Sequence, residues 1–344
     1  MSTVSELVAT RPDDPGFDIV RAAVIELHVA DLVASERFYS ELLGMIVTTR
    51  TEDAVFLRGW EEPVHHSLVL RQAGVTAAAS LGFRVRSETD LDRIVALAEA
   101  KGLASRWLDA GSDPGIGRRL KLWDPFGYPL EFFHQIDVVE TQHQRFDLHR
   151  GAPLLRFDHL NIHCADMNDA FAWWLALGFA CTEYISTDDP QDEKLIGAWL
   201  TRKPSVHDLA LTAGTGPRLH HFAYWVADPT GVLRACDQLA GGCHADVIER
   251  GPGRHGVSNA FFVYLRDPDG HRIELYSCDY YTGDPGHVPL RWSVRDSRCR
   301  SFWGTKAPDS WFEESSLVLG PDGQPTPTHR GEVDERQQRS EVMA

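Results

Sequence analysis

The strongest constraint on the fold of this 344-residue chain is that it repeats itself. VADLVASERFYSELLGM at 29–45 is answered by CADMNDAFAWWLALGF at 164–179. Each has a strand-like lead, an Asp placed to cap a helix, an aromatic-apolar helical face, and a Gly where the helix would stop. EPVHHSLVL at 62–70 is answered by KPSVHDLAL at 203–211, and SLGFRVRSETDLDRIVALAEAKG at 80–102 by HFAYWVADPTGVLRACDQLAGG at 221–242. WDPFGYPLEFF at 123–133 matches RDPDGHRIELY at 266–276. In both, Pro presets one turn dihedral and Gly accepts the left-handed one before a final strand. Four matches in one order are more than common turn and helix signals produce independently.

Each half splits again into two units of strand, helix and several strands, at about 20–72, 78–135, 155–213 and 219–277. Alternating apolar runs such as AVFLRGW and NAFFVYL read as strands, and helices between strands imply mixed sheets. The expected class is α+β: two tandem modules, each of two βαβββ units forming an open mixed-sheet barrel around a cavity.

Composition narrows the partners. Lys+Arg total 34 against 50 Asp+Glu, a formal net charge of -16, so no nucleic-acid partner is expected, because phosphate binding needs a basic surface. MSTVSELVATRPDDPG has neither the basic start nor the apolar run of a signal peptide. No stretch approaches the ~20 apolar residues of a membrane helix, so no membrane partner is expected. Cys164, Cys181, Cys236, Cys243, Cys278 and Cys299 all lie in the second half without a CxxC pair. That fits reduced thiols in a cytoplasm and argues against a cysteine metal site.

Aligning the halves exposes a chemical difference. His159 falls opposite Val24, His221 opposite Ser80, Glu274 opposite Glu131, and His207 opposite His65. The second half thus has two histidines and a carboxylate at equivalent strand positions, of which the first half keeps only the carboxylate. Two His and one carboxylate on one face suit Fe(II) or Mn(II) with open positions. Three protein ligands on an octahedral ion leave room for a chelating diol and O2. His220, beside His221, is given no role.

The double βαβββ layout with this triad resembles the vicinal oxygen chelate superfamily. ERGPGRHGVSNAFFVYLRDPDGHRIELYSCDYYTGDP at 249–285, preceded by SVHDLALTAGTGPRLHH, resembles the homoprotocatechuate 2,3-dioxygenases, type I extradiol enzymes. The likeness runs from about Ile19 to about Leu319 and is densest between 199 and 285. It implies extradiol cleavage of 3,4-dihydroxyphenylacetate by O2 to 5-carboxymethyl-2-hydroxymuconate semialdehyde, in aromatic compound catabolism. It also implies His159, His221 and Glu274 as ligands of Fe(II), with Mn(II) as the alternative, and a cytoplasmic homotetramer.

By the same resemblance His207 is an acid/base, for which an imidazole titrating near neutrality is suited. Tyr264 lies near the substrate oxygens, Asn161 lies on the O2 side, and Trp199 lines the cavity. A substrate carboxylate needs a clamp, for which the resemblance implies Arg250, His255 and Ser258 of the loop and Arg300 of the tail. The family has two adjacent arginines before its Trp-Trp-Gly, whereas this chain reads RCRSFWG with Cys299 at the first.

The expected boundaries are a lead-in at 1–19, a metal-free module at 20–148 and a catalytic module at 149–290. A lid at 291–319 and a disordered, Pro-, Gly- and charge-rich tail at 320–344 follow. The alternatives are another enzyme of the superfamily (a different catechol dioxygenase or a hydroxyphenylpyruvate-type dioxygenase) and a metal-free small-molecule binding protein.

Overall fold

A computed structural model describes residues 4–9, 14–152 and 154–332. The first half contributes eight strands: β1 (Ile19–Val29), β2 (Ile46–Arg50), β3 (Ala54–Arg58), β4 (Leu68–Gln72), β5 (Ala77–Val85), β6 (Ser105–Leu108), β7 (Arg119–Trp123) and β8 (Pro129–Phe133). They form one sheet in the order β2-β3-β4-β1-β5-β8-β7-β6. The second half contributes β9 (Arg156–Cys164), β10 (Ala180–Ser186), β11 (Leu195–Thr201), β12 (Leu209–Ala213), β13 (Thr215–Gly216), β14 (Arg218–Trp225), β15 (Ile248–Arg254), β16 (Phe261–Arg266) and β17 (Arg272–Ser277). The tail adds β18 (Leu290–Ser293), β19 (Trp303–Gly304) and β20 (His329–Arg330). The second sheet runs β18-β10-β11-β12-β9-β14-β17-β16-β15-β19, which is the first order again with an extra strand at each edge. β1–β4, β5–β8, β9–β12 and β14–β17 pair in parallel, as four βαβββ units require.

The helices are α1 (Val4–Ala9), α2 (Leu32–Arg37), α3 (Glu88–Ala100), α4 (Met167–Ala176), α5 (Pro229–Gly241) and α6 (Asp309–Glu313). Asp31 caps α2 by accepting from the amides of Val33 and Ala34, both at 3.0 Å, and Gly44 beyond it takes φ +75. The side chain of Asp166 makes no such cap on α4 and instead meets His329 at 3.0 Å. Asp31→Ala is therefore expected to lower unfolding free energy by about 1 kcal/mol. Urea denaturation checks it, and an unchanged midpoint would mean the cap contributes nothing. No helix among the described residues is long and apolar enough to cross a membrane.

The halves share one core. Phe83 of β5 lies 5.4 Å from Trp174 of α4 and 5.9 Å from Phe179, and Leu27, Leu130, Leu160 and Phe222 belong to the same apolar cluster. Each such fully buried side chain contributes roughly 2 kcal/mol. Polar contacts cross the same boundary: the Ala22 amide donates to Asp208 at 2.9 Å, and the Phe157 amide to Glu62 at 3.1 Å.

Three of the expected segments hold more structure than their composition suggests. The lead-in carries α1, whose Val4 and Val8 are buried; residues 1–3 and 10–13 lie outside the described residues. The expected lid at 291–319 begins as part of the sheet, because β18 pairs in parallel with β10. The expected disordered tail is placed as far as Glu332. Gly320 donates to the Gln324 carbonyl at 2.7 Å, Thr326 bonds the carbonyls of Val318 and Gly127, and β20 pairs with β13. Its order comes from backbone hydrogen bonds, to which an apolar count is blind. Residues 333–344 lie outside the described residues.

Candidate metal centre and active site

Strand register brings the three candidate ligands together. His159 of β9 sits beside Ala223 of β14, which sits beside Glu274 of β17; His221 is two residues back from Ala223, on the same face. In the first sheet the corresponding row is Val24, Gly82 and Glu131, as the alignment of the halves requires. The same register corrects one match. Leu68 pairs with Ile25 and Leu209 with Leu160, which makes His66, and not His65, the counterpart of His207.

Glu274 Oε2 stands 3.0 Å from His159 Nε2 and 3.2 Å from His221 Nε2, and all three residues are buried. The ligand atoms lie within 4.8 Å of one another. Glu274 Oε1 is buried and makes no hydrogen bond among the described residues, an unmet acceptor in a buried site. His159 Nδ1 is held at 2.8 Å by Asp158, which leaves Nε2 to face inward. Burial pushes Asp158 up, but Lys203 and the His159 ring outweigh it and hold the carboxyl below its usual range. Burial pushes the His221 imidazole down to about 4, so it is neutral at pH 7. Burial lowers His159, but its bonds to Asp158 and Glu274 outweigh it and raise the ring, so that position favours positive charge. A neutral His221, a His159 set in acidic surroundings, an anion and an unmet oxygen fit a divalent cation.

The first half answers its carboxylate differently. Arg119 of β7 reaches Glu131 at 3.2 Å and Asp113 at 2.8 Å, while Ser80 donates to Glu131 at 3.1 Å. A built-in guanidinium stands where a bound ion would be needed; β16 has Phe262 at the matching position.

All the residues singled out in the sequence reach one cavity: His159, Asn161, Trp199, His207, His221, Arg250, His255, Ser258, Tyr264, Glu274 and Arg300. His207 lies against His159 with ring centroids 3.9 Å apart, and its Nδ1 is buried without a hydrogen bond. Burial and the neighbouring His159 push His207 well below the usual histidine range, so it does not titrate near neutrality as expected from the sequence. It is a neutral imidazole.

Tyr264 OH meets His255 Nε2 at 2.9 Å, and the other ring nitrogen of His255 bonds the Arg300 carbonyl. Burial, then Arg250, pushes His255 down to about 3. His255 is thus a neutral ring with both nitrogens engaged, and not the available donor the sequence suggested. Arg250 donates to the Arg300 carbonyl at 3.2 Å and to Ser301 at 2.8 Å, with its guanidinium 4.3 Å from the Trp311 ring. Ser258 takes φ 53 and donates its amide to Glu183 at 2.8 Å. Asn161 accepts from Thr212 at 3.2 Å. Cys299 packs among Ile185, Ile196, Trp199, Val257 and Val294.

Sequence reasoning missed His163, His220, Tyr276, Val257 and Trp311 in the cavity wall. His163 and Tyr276 were findable, since they alternate with Asn161 and Glu274 along their strands. Trp311 comes from a distant segment, and His220 is turned inward at a bulge between Leu219 and His221.

This duplicated fold and its two-histidine, one-carboxylate cluster define the class. The chain belongs to the Glyoxalase/Bleomycin resistance protein/Dioxygenase superfamily, whose family model matches residues 21–132 and 156–275. Its relatives are narrower. A solved homoprotocatechuate 2,3-dioxygenase from Brevibacterium fuscum, in complex with 3,4-dihydroxyphenylacetate, is 42% identical with a TM-score of 0.88, covering 94% of this chain and 98% of that one. A manganese-dependent 2,3-dihydroxybiphenyl 1,2-dioxygenase from Geobacillus genomosp. 3 is 31% identical over 300 residues, 83% of this chain and 94% of the relative. A metapyrocatechase from Geobacillus stearothermophilus is 30% identical over 321 residues, 89% and 96% respectively.

Proposed function

We propose that this chain is a metal-dependent extradiol dioxygenase that opens 3,4-dihydroxyphenylacetate with O2 to 5-carboxymethyl-2-hydroxymuconate semialdehyde, in aromatic compound catabolism. The observation that carries the reading is one cavity holding the histidine–carboxylate cluster together with Arg250 and Arg300. A substrate with a diol at one end and a carboxylate at the other matches both. The complex of the Brevibacterium fuscum relative with that compound supports the same substrate here.

His159, His221 and Glu274 would hold Fe(II) or Mn(II), as the manganese-dependent relative and the donor set support. When bound, the ion supplies a Lewis-acidic chelation point and a path for electrons between the ring and O2. Arg250 and Arg300, with Ser258, bind the carboxylate and so orient the ring. Tyr264, aimed by His255, hydrogen-bonds near the substrate oxygens. Asn161 stands on the O2 side, and Trp199 helps to exclude water. His207, neutral and with an unpaired Nδ1, takes a proton from a catechol hydroxyl and returns one as the ring opens.

The test is the reaction of metal-reconstituted protein with 3,4-dihydroxyphenylacetate: a yellow product with equimolar O2 uptake. Binding without colour or O2 uptake would mean a binding protein on this fold. His207→Asn is expected to keep metal and catechol binding while lowering kcat roughly a hundredfold. Wild-type turnover would remove His207 from the mechanism, and loss of the metal would make it a ligand. The reading also takes the enzyme as a cytoplasmic homotetramer; sedimentation equilibrium checks the tetramer and cell fractionation the compartment.

A further inference from the structure

His220 is only 2% exposed and lies between two partners. Its Nδ1 meets His221 Nδ1 at 2.6 Å, and its Nε2 meets the Trp311 carbonyl at 3.1 Å. A carbonyl can only accept, so the Nε2 of His220 carries the hydrogen. The ring is buried against His163, His221 and Trp311 with no carboxylate among its hydrogen-bond and ring partners, so it is the neutral imidazole with one N–H. Its Nδ1 is therefore a lone pair, and the hydrogen between the two rings belongs to His221. That leaves His221 Nε2 as the bare nitrogen facing Glu274, the state a metal ligand requires.

The surroundings hold the relay in place. The His220 ring stacks on His163 with centroids 4.8 Å apart and meets the edge of Trp311 at 4.4 Å. Trp311 is itself seated by its neighbour: the Ser310 hydroxyl donates to Glu249 at 2.7 Å, and the Ser310 carbonyl accepts from Arg272 at 3.1 Å. The ring of Trp311 also lies against Arg250. One residue of the tail thus touches the arginine proposed to bind carboxylate and supplies the carbonyl that begins the relay.

We infer that His220 is a positioning residue: it sets the tautomer of His221 and ties that ligand to the C-terminal segment through the Trp311 carbonyl. His159 is oriented by an anion, Asp158, and His221 by a neutral ring, so the second ligand is aligned without adding negative charge around the ion. The inference rests on the reading of His159, His221 and Glu274 as ligands.

The experiment compares His220→Phe, which keeps an aromatic ring against His163 but removes both nitrogens, with His220→Asn, whose Oδ1 accepts where Nδ1 does. Each is loaded with Mn(II) and mixed with excess chelator, and release is followed by the Mn(II) electron paramagnetic resonance signal. His220→Phe is expected to lose the ion roughly 10–100-fold faster than wild type, with an altered spectrum of the bound ion. His220→Asn is expected to release it nearly as slowly as wild type. If Phe does not fold, as judged by circular dichroism, His220→Leu takes its place. Wild-type release from the nitrogen-free variant overturns the inference, as does equal loss from it and from Asn, which would mark a packing role. Glu274→Ala separates the two readings. If it keeps the ion, the ligand assignment fails and the inference with it; if it loses the ion while His220→Phe holds it, only the inference fails.

Discussion

Glu274→Ala is expected to empty the metal centre and abolish ring cleavage, whereas Glu131→Ala leaves both in place. The two carboxylates occupy equivalent positions, beside Ala223 and Gly82 respectively, so the comparison isolates their surroundings. Without Glu274 the site has two imidazoles and no anionic ligand, and His159→Ala or His221→Ala leaves one imidazole with it. None of these sets suits a divalent ion with open positions. Removing Glu131 instead disturbs a buried ion pair, for which roughly 3–5 kcal/mol is usual when a charge is left unpaired. Arg119 would still have Asp113 at 2.8 Å and Ser112 at 2.9 Å, so the cost falls at or below that range. A domain with the ordinary ~5–15 kcal/mol of stability survives it. Metal analysis of the purified variants decides: an ion kept by Glu274→Ala and lost by Glu131→Ala would reverse the assignment of the halves.

Arg300→Ala and Arg250→Ala are expected to cost on the order of 2–5 kcal/mol in kcat/KM for 3,4-dihydroxyphenylacetate, and far less for 4-methylcatechol, which lacks the carboxylate. Arg300 is the cleaner variant. Its carbonyl, which accepts from Arg250 and His255, is backbone and survives the change. Arg250 also packs on Trp311 and Phe262, so part of its loss will fall on both substrates, and only the difference reports on charge. Cys299, where the resemblance expects a second arginine, sits in an apolar cluster. Truncation before Trp292 is not an equivalent test, because it cuts β18 and removes the 2.8 Å bond from Trp292 to Glu183. Equal losses on both substrates would mean that these arginines hold structure. A neutral catechol preferred by the intact enzyme would leave ring cleavage standing and remove the carboxylate substrate.

Repetition made much of this legible. Helix caps, turn glycines and strand runs recur in order, so the alignment puts His159, His221 and Glu274 at equivalent strand positions, while the row His159–Ala223–Glu274 comes from the strand pairing. The match of His207 with His65 was a slip of one residue: the segments 62–70 and 203–211, laid side by side, already put His66 opposite His207, and the strand pairing agrees. What could not be read depends on contacts distant in the chain or on breaks in alternation. Trp311 reaches the cavity from a short tail helix, and a bulge turns His220 inward where strict alternation would turn it away. The environment of His207 was hidden for a similar reason: its neutrality comes from burial against His159, which no local sequence records.

The pairing of Arg119 with Glu131 also divides the chain by what each half needs from its surroundings. The first half carries its counter-charge within the chain, so that carboxylate needs no ion from the solution. With His159, His221 and Glu274 as the proposed ligands, the second half would take its cation from solution, and the binding free energy of that ion would add to the stability of the form that holds it. Because the halves share one core, the whole protein inherits that dependence. The stability of both halves would then follow the supply of a divalent metal that only the second one binds.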